Sequence, residues 1–196
     1  MYTTQHLPAH YTETLRIDLK NNKRQFYLVY AISFLILAVF LVPVCFFRPI
    51  APLFEGLTSG DPLPVFLRLG TLCAGLFAYI VLHELVHGVF IRIFTGKRAR
   101  YGFSLAFAYA YSDCYFAKWP YLVIALAPVI FWGIILAILT PVVPLAWFWV
   151  VYIIQLTNLS GAAGDLYVTV RLWRLPRHVL IKDDGTAMTV YTAAEH

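Results

Sequence analysis

The residues most able to do chemistry lie in the segment Val81-Leu82-His83-Glu84-Leu85-Val86-His87-Gly88. His83 and His87 are four positions apart, and Glu84 directly follows the first of them. Residues i and i+4 share one face of a helix, so both imidazoles can reach a single metal ion. Glu84 is rotated to the side of that face, where its carboxylate can accept a proton from a water molecule. This spacing predicts a zinc-peptidase site.

The motif lies inside an apolar run, residues 69–91, that is long enough to cross a bilayer. An ionisable residue at such depth is costly unless it has a partner and a use. The alternative interpretation is a pair of neutral histidines bonded to neighbouring helices, with Glu84 protonated or ion-paired. The membrane setting favours the metal site over this interpretation, because three polar side chains without a function would be energetically unfavourable in lipid.

The composition indicates an integral membrane protein, since 61% of the 196 residues are hydrophobic and only 13% are charged. We expect one membrane-embedded domain over residues 1–196. The net charge of +5 does not indicate nucleic-acid binding, because the basic residues flank hydrophobic runs. The cysteines are odd in number and lie far apart, which argues against a disulfide framework; they are Cys45, Cys73 and Cys114.

Hydrophobic periodicity and length predict an α-helical polytopic membrane protein with four transmembrane helices. The predicted spans are residues 26–47, 69–95, 119–139 and 145–170. Polar tails, residues 1–24 and 172–196, flank them. Lysine and arginine concentrate before the first span, after the second and after the fourth. The positive-inside tendency therefore predicts a multi-pass protein of the inner cell membrane with both termini cytoplasmic.

A segment between the second and third spans has a different period. Over residues 103–111 every second residue is large and those between are small, which predicts a membrane-associated strand or hairpin at about residues 102–116. An unpaired strand edge is costly in lipid, so we expect a hairpin, an interfacial position or a partner chain. Two interpretations stay open: an interfacial aromatic belt, and an edge that pairs with an extended substrate. The large residues are Phe103, Leu105, Phe107, Tyr109 and Tyr111.

A catalytic zinc ion usually has three protein ligands, so a third ligand is needed. Asp165 is the best candidate, because it is the only acidic residue besides Glu84 inside a predicted span. Asp165 and His87 each lie a few residues before the basic end of their helix, which predicts similar depths in the membrane. An ion pair between Asp165 and Arg92 is the alternative role. Weaker candidates for the third ligand are Asp113 and Cys114, and weaker still are His178, Asp183 and Asp184.

The motif, a β-like segment after it and an aspartate late in a further span resemble the site-2 protease type of intramembrane zinc peptidase. Gly88, the Ala127-Pro128 step and the Gly164-Asp165 pair make the chain more similar to a bacterial family of small four-span zincin peptidases. The similarity covers about residues 65–170. One departure concerns the fourth span. Site-2 proteases commonly have Asn-x-x-Pro before Asp-Gly, whereas here Asn158-Leu-Ser-Gly161 precedes Gly164-Asp165.

The resemblance implies an intramembrane or membrane-interface zinc metalloprotease that hydrolyses peptide bonds in a membrane protein or peptide. One zinc ion per chain would be held by His83, His87 and Asp165, with Glu84 as the general base. An extended substrate would be bound by Asn158 and by the strand residues Phe103, Leu105, Phe107 and Tyr109. The competing functions are a catalytically silent protease-like scaffold and a metal transporter. A scaffold has no need of Glu84, and a transporter would tend to show ionisable residues across several spans.

Overall fold

The computed structural model describes residues 3–57, 60–103 and 108–194. Within these ranges four helical segments are long and apolar enough to cross a membrane, as the sequence predicts. They are α1 (Lys23–Phe47), α2 (Leu63–Thr95), α3 (Lys118–Val142) and Leu145–Trp173. The last segment consists of α4 (Leu145–Gly161) and α5 (Ala163–Trp173), separated by Ala162.

The described ranges also contain seven strands, so the fold is not purely helical. Five of the strands form one sheet in the order β1-β5-β6-β7-β2, in which all neighbours are antiparallel. β3 and β4 form a separate antiparallel hairpin. The strands are β1 (Thr3–Thr4), β2 (Tyr11–Asp18), β3 (Arg100–Phe103), β4 (Ala108–Tyr111), β5 (Tyr115–Ala117), β6 (Val179–Asp183) and β7 (Ala187–Ala193).

The two segments predicted as polar tails build most of the five-stranded sheet, and this corrects the sequence-based interpretation. β2 pairs with β7, with Tyr11 opposite Ala193 and Asp18 opposite Ala187. β6 and β7 form a hairpin whose turn contains Gly185, with a φ of +87° that favours glycine. Side chains alternate between the two faces of a strand, so a few apolar residues are enough to bury one face. These segments are therefore ordered despite their polar composition.

The hairpin predicted between the second and third spans is present, but its strands differ from the predicted ones. Phe103 lies opposite Ala108, so the alternating run belongs to two strands and not to one. β5 does not return along β4; it pairs with β1 and β6 in the larger sheet. Leu105 and Phe107 lie outside the described residues.

The chain divides into two compact units, each made of separate stretches of sequence. The motif unit comprises Met1–Tyr30, His83–Pro128 and Gly164–His196, and the helical unit comprises Ala31–Leu82 and Val129–Ala163. The motif unit contains the described strands and all three predicted metal ligands. That the whole chain acts as a single domain stays a prediction.

In the motif unit, the apolar face of the five-stranded sheet packs against the helix segments that carry the candidate site. Ile181 and Val190 of the sheet are fully buried, as is Leu172 of α5. Further buried members of the same cluster are Ile17, Ile91, Cys114, Phe116, Tyr121, Leu122, Ile124, Val179 and Met188. The Lys118 ammonium donates to the carbonyls of Trp173, at 3.1 Å, and Leu175, at 2.6 Å. The start of α3 is thereby tied to the carbonyl end of α5, where a cation is favourable.

The β3–β4 hairpin contacts the rest of the motif unit at two glycines. A Cβ atom added to Gly88 would overlap the hydroxyl of Tyr101, so this residue of β3 occupies the space that a side chain would need. A Cβ added to Gly185 would overlap the ring of Tyr109, a residue of β4. The two glycines therefore let the hairpin approach both the motif helix and the β6–β7 turn.

The helical unit has its own small core, formed by Leu53, Phe148, Trp149 and Val150. Within it, Nη1 of the buried Arg68 donates to the carbonyls of Pro52, Leu53 and Glu55, at 2.9, 3.1 and 3.0 Å. These bonds satisfy carbonyls in the connection after α1, which includes a short 3₁₀ helix, Ala51–Phe54.

The contact between Gly88 and Tyr101 predicts that alanine at position 88 destabilises the protein, although alanine usually stabilises a helix. Alanine normally stabilises a helix relative to glycine by roughly 0.5–1 kcal/mol. We expect Gly70→Ala to follow that rule, since among the described residues nothing lies within 4 Å of its added Cβ. Gly88→Ala should instead lower the midpoint of thermal unfolding in detergent, because the methyl group displaces Tyr101.

The control is a double-mutant cycle with Tyr101→Ala. In that background the Gly88→Ala methyl group meets no hydroxyl, so Gly88→Ala should no longer be destabilising. Equal destabilisation by Gly88→Ala with and without the Tyr101 ring would show that this contact does not anchor the hairpin.

Candidate metal centre

The two histidines lie side by side on α2, as their spacing predicts. Their ring centroids are 5.0 Å apart, and the ring planes are inclined at 77°. His83 is 9% exposed and His87 is 8% exposed, so both imidazoles are largely removed from solvent. Two imidazole rings are thereby held on one face of a regular helix.

Asp165 joins them from the first turn of α5. A carboxylate is favourable there because the amino end of a helix carries a partial positive charge. Its Oδ2 lies 3.6 Å from Nε2 of His83 and 3.8 Å from Nε2 of His87. One ligand atom from each of the three residues lies within 4.8 Å of the other two. The structure thus brings together the three ligands predicted from the sequence.

The spacing and chemistry of these donors fit a zinc ion. In a tetrahedral zinc site with bonds of about 2.1 Å, neighbouring ligand atoms lie roughly 3.4 Å apart. The two nitrogen–oxygen separations, 3.6 and 3.8 Å, are close to that value. Two imidazoles and one carboxylate also match the ligand set of a catalytic zinc site, which leaves a fourth position for water or substrate.

A backbone carbonyl fixes the orientation of His87. Its Nδ1 lies 2.8 Å from the carbonyl oxygen of Ile124 in α3. A carbonyl oxygen can only accept, so Nδ1 carries a proton, and in the neutral ring the lone pair is then on Nε2. Nε2 is the nitrogen that faces Asp165. Metal-binding histidines commonly have such an outer partner, which sets the tautomer and the ring orientation. The sequence-based interpretation did not include this bond.

Glu84 lies between the two histidines in sequence, and one of its carboxylate oxygens, Oε2, is buried. Its Oε2 is buried and has no hydrogen-bond donor among the residues that the structure describes. A buried acceptor without a donor is costly, typically by about 1–3 kcal/mol. A group in this state can accept a proton from a water molecule or a substrate, which is the role predicted for Glu84.

A hydrogen-bonded pair that the sequence-based interpretation missed, the buried Tyr121 and the partly buried Asp183, lies near the ligands. The hydroxyl of Tyr121 donates to the carboxylate of Asp183, which also accepts from the backbone N–H of Gly185 at 2.8 Å. Burial raises the pKa of the Asp183 carboxyl above its usual range, and the two hydrogen bonds and the nearby His87 partly oppose this shift. Asp183 is thus close enough to His87 for the two side chains to interact electrostatically.

The position of Asp183 corrects the sequence-based interpretation, which placed this residue in a polar tail. A signal was available: Asp184-Gly185, flanked by alternating apolar residues, indicates a hairpin that would order Asp183. Asp183 is nevertheless not a member of the three-residue ligand group.

Asp113 and Cys114, the weaker candidates for the third ligand, have different roles in the structure. Asp113 is exposed and pairs with Arg100, with 2.8 Å between Oδ2 and Nη2. Cys114 is buried in the core of the motif unit. An ion pair between Asp165 and Arg92 is not found either: within the described ranges the basic side chains with a nitrogen within 4 Å of the Asp165 carboxylate are those of His83 and His87.

The predicted substrate-binding residues have diverse settings. Asn158 belongs to the helical unit and is fully buried; it donates to the carbonyl of Val129 at 3.2 Å and accepts from the hydroxyl of Tyr79 at 3.0 Å. Phe103 is 74% exposed on β3, whereas Tyr109 packs over the two glycines Gly102 and Gly185. Leu105 and Phe107 are outside the described ranges. The substrate role of all five residues stays a prediction.

Comparison with known proteins agrees with the chemistry of this site. The model of a family described as "Putative zincin peptidase" matches residues 76–180, which include the motif, the hairpin, α3 and Asp165. No curated protein and no solved structure matches the chain. The matched residues make up more than half of the chain, and the resemblance to the small zincin peptidase family seen in the sequence is confirmed. The chain belongs to this family of zincin peptidases.

Proposed function

We propose that the protein is a zinc-dependent metallopeptidase that cleaves a membrane protein or peptide within the bilayer or at its surface. The observation that carries this proposal is the convergence of two imidazoles and one carboxylate, with ligand atoms within 4.8 Å of one another. Glu84, next to the first imidazole in sequence, supports it with a buried carboxylate oxygen that has no hydrogen-bond donor within the described part of the chain. Membership of the zincin peptidase family supports a metal-dependent hydrolase.

His83, His87 and Asp165 would hold one zinc ion. Zinc at such a site supplies Lewis acidity to a scissile carbonyl and increases the acidity of a water molecule. The protein residues set the conditions for that chemistry. The Ile124 carbonyl binds Nδ1 of His87, so that Nε2 of the neutral ring can bind the metal, and the burial of both histidines limits competition from bulk water.

Glu84 is the proposed general base. Its buried Oε2 accepts a proton from the attacking water and then delivers it to the amine that leaves. Such a positioned base typically contributes about 10²–10⁴-fold to the rate. The absence of a donor to this oxygen among the described residues leaves it available for the transfer.

The proposed location is the inner cell membrane, with four crossings and both ends cytoplasmic. Four apolar helices support a membrane protein. The pairing of β2 with β7 supports an even number of crossings, because hydrogen-bonded strands from the two ends of the chain must lie on the same side of the membrane. The basic residues near these ends support the cytoplasmic side.

The proposed substrate is bound in an extended conformation, because a helix shields its own carbonyls by hydrogen bonding. The β3–β4 hairpin supports this mode: Tyr101 of β3 packs at Gly88, next to His87, and Phe103 is largely exposed. Addition of a substrate strand to a hairpin edge would use backbone hydrogen bonds for affinity. A role for Asn158 would require it to exchange its bond with Tyr79 or Val129 for one with the substrate.

The general-base role predicts the behaviour of Glu84→Gln. The amide cannot accept the proton, so peptide cleavage should fall by at least about 10²-fold, while zinc remains bound. Purified full-length protein in vesicles would be incubated with a library of membrane-spanning peptides, and new termini would be counted by mass spectrometry. Zinc content would be measured in the same samples.

Glu13→Gln is the matched control, since Glu13 is an exposed glutamate on β2 and should leave cleavage unchanged. Cleavage at the normal rate by Glu84→Gln would remove Glu84 as the base. Wild-type protein that binds zinc but cleaves no peptide would favour a catalytically silent scaffold.

The third-ligand assignment predicts the behaviour of Asp165→Asn. Replacing an anionic oxygen donor by a neutral amide should weaken zinc binding by more than the roughly 100-fold loss typical of an outer partner. Competition against a fluorescent zinc chelator gives the affinity directly. A normal zinc affinity in Asp165→Asn would refute the assignment.

Asp113→Asn provides the comparison, because Asp113 is an acidic residue of the same unit that is exposed and paired with Arg100. Its zinc affinity should equal that of the wild type. Loss of zinc from Asp113→Asn, with Asp165→Asn unaffected, would identify Asp113, which follows the β3–β4 hairpin, as the third ligand.

A further inference from the structure

Pro128 lies in the interior of α3, four residues after Ile124. In an α-helix the carbonyl of residue i accepts from the N–H of residue i+4. Proline has no N–H, so Pro128 cannot donate to the carbonyl of Ile124. The carbonyl of Ile124, in the interior of the helix, is therefore not satisfied by its usual partner.

This carbonyl is the one that binds His87. Nδ1 of His87 approaches it to 2.8 Å, and both residues are buried in the motif unit. Two needs are met by one bond. A buried carbonyl without a donor is destabilising, and a metal-binding imidazole needs an acceptor that holds its second nitrogen protonated.

We infer that Pro128 is a positioning residue for the metal site. By withholding a helix N–H from the Ile124 carbonyl, it leaves that oxygen directed at Nδ1 of His87, which holds Nε2 ready to bind a metal ion. This inference rests on the proposed function, in that it assumes metal binding by His87. It assigns Pro128 a role beyond kinking the helix or shaping a cavity.

The energetic balance supports a specific role. Proline in a helix interior is much less favourable than alanine. Pro128 is almost completely buried, with less than 2% of its surface exposed. A buried apolar site could hold many other side chains, and none of them would leave the Ile124 carbonyl without its helix donor.

The test is Pro128→Ala in the full chain. Alanine restores an N–H that competes with His87 for the Ile124 carbonyl. Zinc affinity, measured by chelator competition, should fall by roughly 10–100-fold, the usual loss for an outer partner of a metal ligand. The thermal midpoint of the zinc-free protein should not fall, because a helix interior gains from the change.

Pro141→Ala is the matched control. Pro141 also lies in α3, and its restored N–H would reach the carbonyl of Ala137, in the helical unit. It should leave zinc affinity unchanged. If the wild type binds zinc and cleaves peptides while Pro128→Ala binds zinc equally well, the inference is overturned and the proposed function stands. If the wild type binds no zinc, the proposed function itself fails.

A measurement on the wild type keeps the inference testable if Pro128→Ala does not fold. Nitrogen-15 NMR of histidine-labelled, zinc-loaded protein should show His87 protonated at Nδ1 and metal-bound through Nε2. The signal would be assigned by its absence from a His87→Ala sample. Metal binding through Nδ1 would overturn the inference.

Discussion

The structure depends on the cost of placing ionisable groups in an apolar environment. Two imidazoles and two carboxylates lie in or beside apolar helix segments, where each is stabilised by a partner within the protein or by a bound ion. Asp165 faces both histidines, and the Ile124 carbonyl accepts a hydrogen bond from Nδ1 of His87. Of these four groups, Glu84 keeps an oxygen without a donor among the described residues, and this exception is where chemistry is expected.

The helices that carry these groups are distant in sequence, and the five-stranded sheet brings them together. Ile91 of α2, Leu122 of α3 and Leu172 of α5 share one buried cluster with the apolar face of the sheet. A membrane helix bundle gains little from apolar burial between helices, because lipid tails are equally apolar. A sheet with a polar face and an apolar face supplies a conventional hydrophobic core. Packing against this core can fix the helices firmly enough for their side chains to bind one zinc ion.

The spacing of residues along the sequence was sufficient to predict that His83 and His87 share one helix face and that the chain forms four long helices. Both features depend on short segments, through i,i+4 periodicity and the length of an apolar run. Asp165 could be found because lipid excludes most acids, which left one candidate. The His87–Ile124 bond could not be predicted, since it joins a side chain to a backbone atom 37 residues away. The terminal strands were missed for another reason: half of their residues are polar, and β2 and β7 come from opposite ends of the chain.

The position of β7 has a consequence for biosynthesis. It lies between β6 and β2, and it is the last strand of the described chain. The four apolar helices are translated before β7, so the sheet cannot close until residues 187–193 have emerged from the ribosome. The core against which the ligand-bearing helix segments pack is therefore completed only after all of these helices have been made.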